Sequence, residues 1–429
     1  MPDRSSPGPS DDRSGRKRRA EEETDDLPQP YNANKLQPAK RRALSPSEQP
    51  RRQKRPGNRA RISEAEREAI RQRQLERERG AAAQSAHDDE NRSRGINDVV
   101  RQHYNNVPER GRDWRTRDSK IKGLRVFNNW IKSCIIQRYS PDEDHAPGSR
   151  EEGRSSGKDL LVLDIGCGKG GDLNKWQQAP QPIQLYVGLD PADVSIDQAR
   201  ERYRTLGYNR RPPPPPFEAR FHVKDCYGES IENIDIIHQV GWDPSPMNRR
   251  GFDVVSMMFS MHYAFENEKN ARTMLRNVAG ALKKGGRFIG CIPNSDVLGE
   301  HLEEGEAEPT AEWGNSIYRV RFPGKTPEDG IFRPAFGWKY NFFLDEAVEE
   351  VPEYVVPWEA FRALADDYNL ELQFHRTFPE IWEAEKDDAE LGPLSERMGV
   401  RGRGGGPLLV SDDEMEAASF YIGFCFYKV

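Results

Sequence analysis

The feature that most constrains the fold is an apolar run that ends in a glycine-rich turn. Residues 161–165 read LVLDI, and residues 166–172 read GCGKGGD. A continuous apolar run is typical of a parallel strand buried on both faces. Glycine lets the backbone turn sharply and approach a ligand that a Cβ atom would exclude. The sequence therefore predicts a buried strand followed by a ligand-binding loop, with a tight turn that binds nothing as the alternative.

Two classes of cofactor use a loop of this kind. Residues 166–171 fit the GxGxxG pattern of dinucleotide-binding proteins, and Asp190 follows at the distance expected for a ribose contact. Asp164, two residues before the first glycine, favours another ligand, because a carboxylate suits a cationic amino acid group better than a pyrophosphate. The loop therefore favours S-adenosylmethionine over NAD.

From about residue 96 onward, strand-like segments alternate with helix-like segments, which is typical of a doubly wound α/β sheet. The predicted strands are 160–163, 185–189, 221–223, 252–259, 288–292 and 419–427, and the predicted helices include 195–203 and 270–282. We expect the second of these helices to stop at the Lys-Lys-Gly-Gly run of 283–286. Surface insertions are expected at 140–158, 207–217, 299–315 and 385–413.

The first 95 residues differ in composition from the rest of the chain. They contain 23 Lys and Arg residues against 17 Asp and Glu residues and almost no aromatic residues, whereas the remainder has a net charge of −12. A segment with so little apolar surface cannot offset its conformational entropy by burial. We therefore predict a disordered basic tail at 1–95 and one folded domain at 96–429.

The tail contains three dense basic clusters, at residues 16–19, 40–42 and 51–55. They resemble nuclear-localisation signals and predict a nuclear protein. Simple solvation of the tail, or nonspecific binding to RNA phosphates, is the alternative.

Cysteine spacing and hydropathy narrow the class of protein. The five cysteines are widely spread and never occur as CxxC, so neither a zinc site nor a disulfide framework is expected. No apolar run approaches the length of a membrane span, and no secretory signal is recognisable. These features predict a soluble intracellular protein without a metal site.

Short blocks spread over about 99–428 occur in a characteristic order. They are HYN at 103–105, LRVFNNWIK at 124–132, the glycine loop with KW at 175–176, FD at 252–253, HYAF at 262–265, GGRFIG at 285–290, PN at 293–294, FGWKY at 336–340, PEY at 352–354 and FY at 420–421. Together they resemble the eukaryotic mRNA cap (guanine-N7) methyltransferases. The resemblance implies a class I S-adenosylmethionine-dependent methyltransferase fold, Rossmann-like and mostly parallel, with cap-binding insertions.

By this resemblance, a set of polar and glycine residues holds S-adenosylmethionine. They are Lys132, Asp164, Gly166, Asp190, Asp225 and Tyr263. A lysine suits the methionine carboxylate, and carboxylates after successive strands suit the amino group, the ribose and the adenine amine. Asp225 taken alone could be only a turn residue. Met258 stands where the family commonly has a glutamine, and since it lacks the amide hydrogen bonds we leave it out of the expected site.

The same resemblance assigns a second set of residues to the cap. They are Asn128, Asn129, Lys169, Lys175, Arg202, His262, Glu353 and Tyr421. Glu353 can accept hydrogen bonds from N1 and N2 of guanine, and aromatic or imidazole faces can hold the base. The three cations are expected near the triphosphate bridge. Each residue alone could instead be an ordinary packing, capping or surface residue.

The expected reaction is methyl transfer to N7 of the terminal guanosine of capped pre-mRNA by direct in-line attack. Guanine N7 has a free lone pair and the sulfonium methyl is already activated, so positioning suffices without a catalytic acid, base or metal. The resemblance also implies the capping guanylyltransferase or the RNA polymerase II machinery as partners. A methyltransferase for small molecules or proteins, and an RNA adaptor without turnover, remain as alternatives. A dinucleotide oxidoreductase is disfavoured because no residues for hydride chemistry are recognisable.

Overall fold

The computed structural model describes residues 96–106, 114, 118–142, 145, 158–206, 217–304 and 311–429. The predicted tail, its basic clusters and most of the first two predicted insertions lie outside the described residues. The disorder of the tail and its boundary at residue 96 therefore stay predictions. Among the described helices, none is both long and apolar enough to cross a membrane.

The helices and strands follow one another in an alternating order. They are α1 (Ile96–Asn106), α2 (Lys122–Tyr139), β1 (Leu160–Ile165), α3 (Leu173–Gln177), β2 (Ile183–Asp190), α4 (Asp193–Thr205), β3 (Glu218–Val223), α5 (Asp235–Val240), β4 (Phe252–Met258), a 3-10 helix (Met261–Glu266), α6 (Glu268–Ala281), β5 (Leu282–Pro293), α7 (Ser295–Glu304), β6 (Glu312–Gly314), β7 (Tyr318–Arg321), β8 (Lys339–Leu344), β9 (Val348–Tyr354), α8 (Trp358–Asp366), β10 (Leu370–Thr377), α9 (Phe378–Glu385), α10 (Leu391–Met398), α11 (Asp412–Ser419) and β11 (Tyr421–Lys428).

Seven strands form the main sheet in the order β10-β11-β5-β4-β1-β2-β3. The five strands from β5 to β3 run parallel to one another, and β11 runs antiparallel to both β5 and β10. The predicted mostly parallel, doubly wound sheet is confirmed. The last predicted strand lies inside the sheet, between β5 and β10.

Apolar side chains cover both faces of the main sheet. Along β1, Val162 belongs to the core on the α2 side, whereas the next residue, Leu163, belongs to the core on the α6 side. Successive side chains of a strand point to opposite faces, so a strand with helices on both faces is apolar throughout. This explains the continuous apolar run that precedes the glycine loop.

A second, antiparallel sheet has the order β6-β7-β8-β9. This sheet was not predicted from the sequence, and β6 falls within the surface insertion expected at 299–315. Along β7, buried residues alternate with half-buried ones. In the register of β8 and β9, Tyr340 lies opposite Glu353. The second sheet thereby places a predicted cap residue beside the main domain core.

The expectation of a surface insertion at 385–413 is wrong for α10. Leu391 and Ser395 are buried, and Trp130 Nε1 of α2 donates a hydrogen bond to the Leu391 carbonyl at 2.9 Å. Gly392 and Pro393 gave this segment a loop-like composition, but proline is tolerated in the first turn of a helix. The helix therefore forms part of the core around α2.

The junction between α6 and β5 is held by the last strand. The helix ends at Ala281, so the predicted stop at 283–286 falls inside β5. Lys428 of β11 is fully buried, and its Nζ donates to the carbonyls of Asp243, Ala279 and Leu282. Burial lowers the pKa of Lys428 to about 8. The lysine satisfies carbonyls that the end of a helix leaves without partners.

Candidate active site

A cavity of about 390 Å³ opens where β1, β2 and β4 end. In open α/β sheets, ligands bind at the carboxyl ends of the strands, because the loops there converge. Four of the predicted cofactor residues line this cavity: Lys132, Gly166, Asp190 and Tyr263. Met258 lines it as well, although it was left out of the expected site.

The glycine loop forms one wall of the cavity. Gly166 has φ of +73°, and a Cβ atom there would lie 2.5 Å from Ser260 Oγ. Ser260 Oγ in turn donates to the Ile165 carbonyl at 3.1 Å, so the serine has little freedom to move away. Both backbone conformation and space therefore require glycine at position 166.

Asp190 fixes the loop from the end of β2. Its Oδ2 accepts a hydrogen bond from Gly168 N and its Oδ1 accepts one from Ala192 N, both at 2.9 Å. Burial raises the pKa of Asp190 to about 6, against the effect of these two backbone donors. The carboxylate is therefore ionised at neutral pH and can accept further hydrogen bonds on the cavity side.

Asp172 also lines the cavity and was not among the predicted site residues. Its Oδ2 lies 2.8 Å from Lys132 Nζ, and its Oδ1 lies 2.9 Å from Lys175 Nζ. Burial opposes ionisation of Asp172, but the two lysines outweigh it and hold its pKa well below the usual range. The signal was available, because Asp172 closes the glycine-rich block.

Asp164 does not line the cavity. It is buried beneath the glycine loop, where its Oδ2 accepts from Tyr186 Oη at 2.6 Å and its Oδ1 accepts from Ser256 Oγ at 2.7 Å. Burial raises the pKa of Asp164 to about 7, with a further contribution from the charge of Asp172. Asp164 thus ties β1 to β2 and β4, and its contact with a cofactor amino group stays a prediction.

Asp225 lies two residues after the end of β3. Its Oδ1 accepts from Tyr227 N at 2.9 Å and from Gly228 N at 3.1 Å, which makes it a turn residue as the alternative expected. Tyr227 lines the cavity, whereas Asp225 does not. The predicted contact of Asp225 with adenine therefore stays a prediction.

Three of the predicted cap residues, His262, Glu353 and Tyr421, meet next to Tyr263 and Tyr340. We call these five residues the Glu353 cluster. The rings of His262 and Tyr263 lie 4.3 Å apart, His262 Nε2 lies 3.5 Å from Glu353 Oε1, and Tyr340 Oη donates to Glu353 Oε2 at 2.7 Å. Burial raises the pKa of Tyr421 well above its usual value, and the charge of Glu353 adds to this effect. The cluster combines a buried carboxylate with aromatic faces.

His262 is the least satisfied polar residue of the Glu353 cluster. Its side chain is 3% exposed, and neither ring nitrogen makes a hydrogen bond to another described residue. Buried polar atoms are normally paired, so buried nitrogens without a hydrogen bond are candidates for contact with a ligand. This residue supports a binding function for the cluster rather than a purely structural one.

The remaining predicted cap residues lie in two places. Lys169 and Arg202 line the cavity beside the glycine loop. Asn129 instead lies on α2, where its Oδ1 accepts from Lys175 Nζ at 2.7 Å, and both residues line a separate groove between α2, α3 and α10. Asn128 Oδ1 is buried without a hydrogen bond in the described part of the chain.

The sheet order, the glycine loop and the cavity define a class I S-adenosylmethionine-dependent methyltransferase. Within that class, residues 87–429 match the model of the mRNA (guanine-N(7))-methyltransferase domain. The chain therefore belongs to the mRNA (guanine-N7)-methyltransferase family, and its methyl donor is S-adenosylmethionine.

Curated relatives from fungi agree with this assignment. The chain is 63% identical to an mRNA cap guanine-N(7) methyltransferase of Pyricularia oryzae, which covers 93% of this chain and 91% of the relative. A protein of the same name from Aspergillus clavatus is 56% identical, and the alignment covers 92% of this chain and 80% of the relative. A third, from Schizosaccharomyces pombe, is 45% identical, and the alignment covers 77% of this chain and 82% of the relative. Each alignment extends over most of both chains.

Proposed function

We propose that this chain transfers the methyl group of S-adenosylmethionine to N7 of the guanosine that caps the 5′ end of RNA. The observation that carries the proposal is the junction at Tyr263. This residue lines the cavity, and its ring packs against His262, which in turn lies beside Glu353. A methyl donor in the cavity and a guanine on the Glu353 cluster would therefore meet at one wall.

The cavity fits S-adenosylmethionine in shape and charge. Its volume lies within the range of small-ligand sites, and glycine at 166 lets the backbone approach the ligand. When bound, the cofactor supplies a methyl carbon activated by the sulfonium charge. Lys132 and Asp172 offer one cation and one anion to the zwitterionic amino acid end, while Asp190 offers an acceptor to ribose hydroxyls. Asp225 would accept from the adenine amine at the rim.

Glu353 is the residue that would select guanine. Its carboxylate accepts the N1 and N2 hydrogens of guanine, a pattern that adenine lacks. Tyr340 holds one oxygen of Glu353 and thereby fixes its orientation. Methylation at N7 makes the purine cationic, so a buried carboxylate and the rings of His262 and Tyr421 stabilise the product-like transition state more than the substrate. Because the N7 lone pair is free, no residue has to remove a proton.

Five polar residues would orient the rest of the cap. Lys169 and Arg202 would hold the triphosphate beside the glycine loop, since exposed and half-buried cations pair well with phosphate oxygens. Lys175, held by Asn129 and Asp172, would extend this cationic edge. Asn128 would contribute a carbonyl oxygen from α2.

We further propose that the protein acts in the nucleus and contacts the capping guanylyltransferase or the RNA polymerase II machinery. The cap must be added before it can be methylated, which favours proximity to the enzyme that adds it. Fluorescent fusions with and without residues 1–95 test the location. Nuclear accumulation of both fusions would show that the basic clusters are not needed for nuclear import. Copurification tests the partners.

The test of the reaction compares three RNA acceptors with labelled S-adenosylmethionine. They are RNA with an unmethylated guanosine cap, uncapped RNA, and RNA already methylated at the cap N7. We expect label only on the first. Transfer to none of them, with cofactor binding intact, would contradict the proposal and direct the search to small molecules or proteins.

A further inference from the structure

A second concave site lies next to the cofactor cavity. The lateral groove, as we call it, runs between α2, α3 and α10 and has a volume of about 360 Å³. Gly171 lines both the cavity and the groove, so the two spaces share a wall. None of the cofactor contacts proposed above uses the groove.

Lys175 stands at the junction of the two spaces. Its Nζ lies 2.9 Å from Asp172 Oδ1 on the cavity side and 2.7 Å from Asn129 Oδ1 on the groove side. With the Gly171 carbonyl at 3.3 Å as a third acceptor, the ammonium group is fixed at the wall that the two spaces share. Lys175 is therefore the cation that a phosphate between the two spaces would meet.

The lining of the lateral groove has the chemistry of a nucleoside site. Gln137, Asn174 and Gln178 present amide groups, each of which can donate to and accept from a base edge. Leu394 and Met398 of α10 are half-buried and offer an apolar surface for the face of a base. Among the described lining residues none is acidic, so nothing there repels phosphate.

The far end of the groove is open. Gln137, Gln178 and Leu394 also line an adjoining hollow of about 380 Å³ that continues along α10. A chain that enters beside Lys175 therefore meets an open hollow lined by both Glu390 and Arg397 rather than a closed pocket.

We propose that the lateral groove binds the first transcribed nucleoside, the one joined to the capping guanosine through the triphosphate bridge. This inference rests on the proposed function, because it needs the guanine on the Glu353 cluster. The groove then acts on affinity for the RNA and leaves the methyl transfer step itself unchanged.

The test compares two acceptors that differ in the second nucleoside, GTP and the cap dinucleotide GpppA. We expect the wild-type KM for GpppA to be at least about fivefold lower than for GTP, since packing of one base on a protein surface is commonly worth this much. Leu394→Trp fills the groove and should raise the KM for GpppA to that for GTP. It should leave the KM for GTP and for S-adenosylmethionine unchanged.

Two further variants control for nonspecific effects. Gln178→Ala removes one exposed amide of the groove and should give a smaller increase in the KM for GpppA. Gln239→Ala removes an equally exposed amide on α5 and should change nothing. Equal wild-type KM values for GTP and GpppA, or equal losses with both acceptors in Leu394→Trp, would overturn the groove proposal.

A crosslinking experiment on the unaltered full chain does not depend on the variants. Capped RNA with 4-thiouridine as its first transcribed nucleotide is irradiated in the complex, and the attached peptides are identified by mass spectrometry. We expect attachment to α2 or α10. Attachment only elsewhere overturns the inference, whereas failure of the wild type to methylate GTP, GpppA and capped RNA alike would defeat the proposed function itself.

Discussion

The cofactor cavity and the Glu353 cluster lie side by side, yet the chain assembles them in different ways. The cavity takes its walls mainly from segments that directly follow β1, β2 and β4 of one parallel sheet. The Glu353 cluster combines Glu353 from the second sheet, Tyr421 from the last strand of the main sheet, and His262 from the 3-10 helix. The cavity depends on one sheet, and the cluster depends on how two sheets pack.

The two regions also differ in how their polar groups are satisfied. In the cavity, both oxygens of Asp190 accept backbone hydrogen bonds, and Asp172 pairs with two lysines. In the cluster, both ring nitrogens of His262 lack hydrogen-bond partners among the described residues. The carboxylates of the cavity are thus held by contacts within the protein, whereas the Glu353 cluster leaves the ring nitrogens of His262 without such contacts. Variants that alter only the cavity or only the Glu353 cluster can test this difference.

The largest effect is expected from Glu353→Gln, which alters the cluster alone. Glutamine keeps the shape but presents an amino group toward the guanine hydrogens, and the buried negative charge is lost. We expect kcat/KM for capped RNA to fall about a thousandfold, as for removal of a strong electrostatic contact. Steady-state methyl transfer measures it. Glu359→Gln on the exposed face of α8 is the matched control, and unaltered activity of Glu353→Gln would remove the carboxylate from the mechanism.

The next largest effect is expected from Gly166→Ala, which alters the cavity alone. The added Cβ would lie 2.5 Å from Ser260 Oγ at a positive φ, so the loop must shift and affinity for S-adenosylmethionine should fall about a hundredfold. Gly168→Ala is the matched control, because φ is also positive there but a Cβ meets nothing within 4 Å. Gly168→Ala should lower the free energy of unfolding only by the cost of backbone strain, about 1–2 kcal/mol. Calorimetric titration measures the affinity for S-adenosylmethionine, and urea unfolding measures the stability. Equal losses of affinity in Gly166→Ala and Gly168→Ala would mean that the contact with Ser260 is unimportant.

A smaller effect is expected from Lys132→Met, which removes one partner of Asp172. If Lys132 contacts the methionine carboxylate of the cofactor, affinity should fall about tenfold, the value of one charge-assisted contact. The double variant Lys132→Met/Asp172→Asn distinguishes this from a role in neutralising Asp172. Recovery of cofactor affinity in the double variant would limit Lys132 to that structural role.

The smallest effect on ligand binding is expected from Asp164→Asn, because Asp164 lies beneath the cavity. Its folded pKa of about 7 exceeds the unfolded value of 3.8, so its stabilising contribution is fully present below about pH 4 and is lost as pH rises through 7. Asparagine does not ionise, so the variant should not show this decrease in stability with rising pH. Its free energy of unfolding relative to wild type should therefore rise by up to about 1.4 kcal/mol per pH unit between pH 5 and 7.

Urea unfolding at several pH values measures that slope, and cofactor titration supplies the second readout. Unchanged affinity for S-adenosylmethionine would agree with the buried position of Asp164 and its two hydroxyl partners. A large loss of affinity at constant stability would instead support the contact with the amino group that the sequence predicts.

The same contrast governs what the sequence could predict. The main strands and the cofactor loop were predictable because each depends on neighbouring residues, such as the apolar run before Gly166. Glu353 could be placed only by the family resemblance, because the second sheet that carries it consists of short strands paired in register across loops. Asp164 and Asp172 show a finer limit, since both are acidic and near the loop, and only packing decides which faces the cavity.

Helix α10 shows why composition can mislead. Its first turn contains Gly392 and Pro393, and charged residues flank it on both sides, so the segment has the composition of a loop. Its apolar side chains Leu391, Leu394 and Met398 pack against the core, and Trp130 adds a hydrogen bond to the Leu391 carbonyl. A contact between residues so far apart in the chain leaves no local pattern in the sequence.

The position of β11 has a consequence for how the protein is made. The strand Tyr421–Lys428 inserts between β5 and β10, so the sheet stays incomplete until this segment has been synthesised. A nascent chain that ends earlier can already form the parallel strands and the glycine loop, but it lacks Tyr421 and the Lys428 contacts to the end of α6. The proposed guanine site is therefore completed only after β11 has been made, and termination before β11 would yield a chain with an exposed sheet edge, a target for aggregation and quality control.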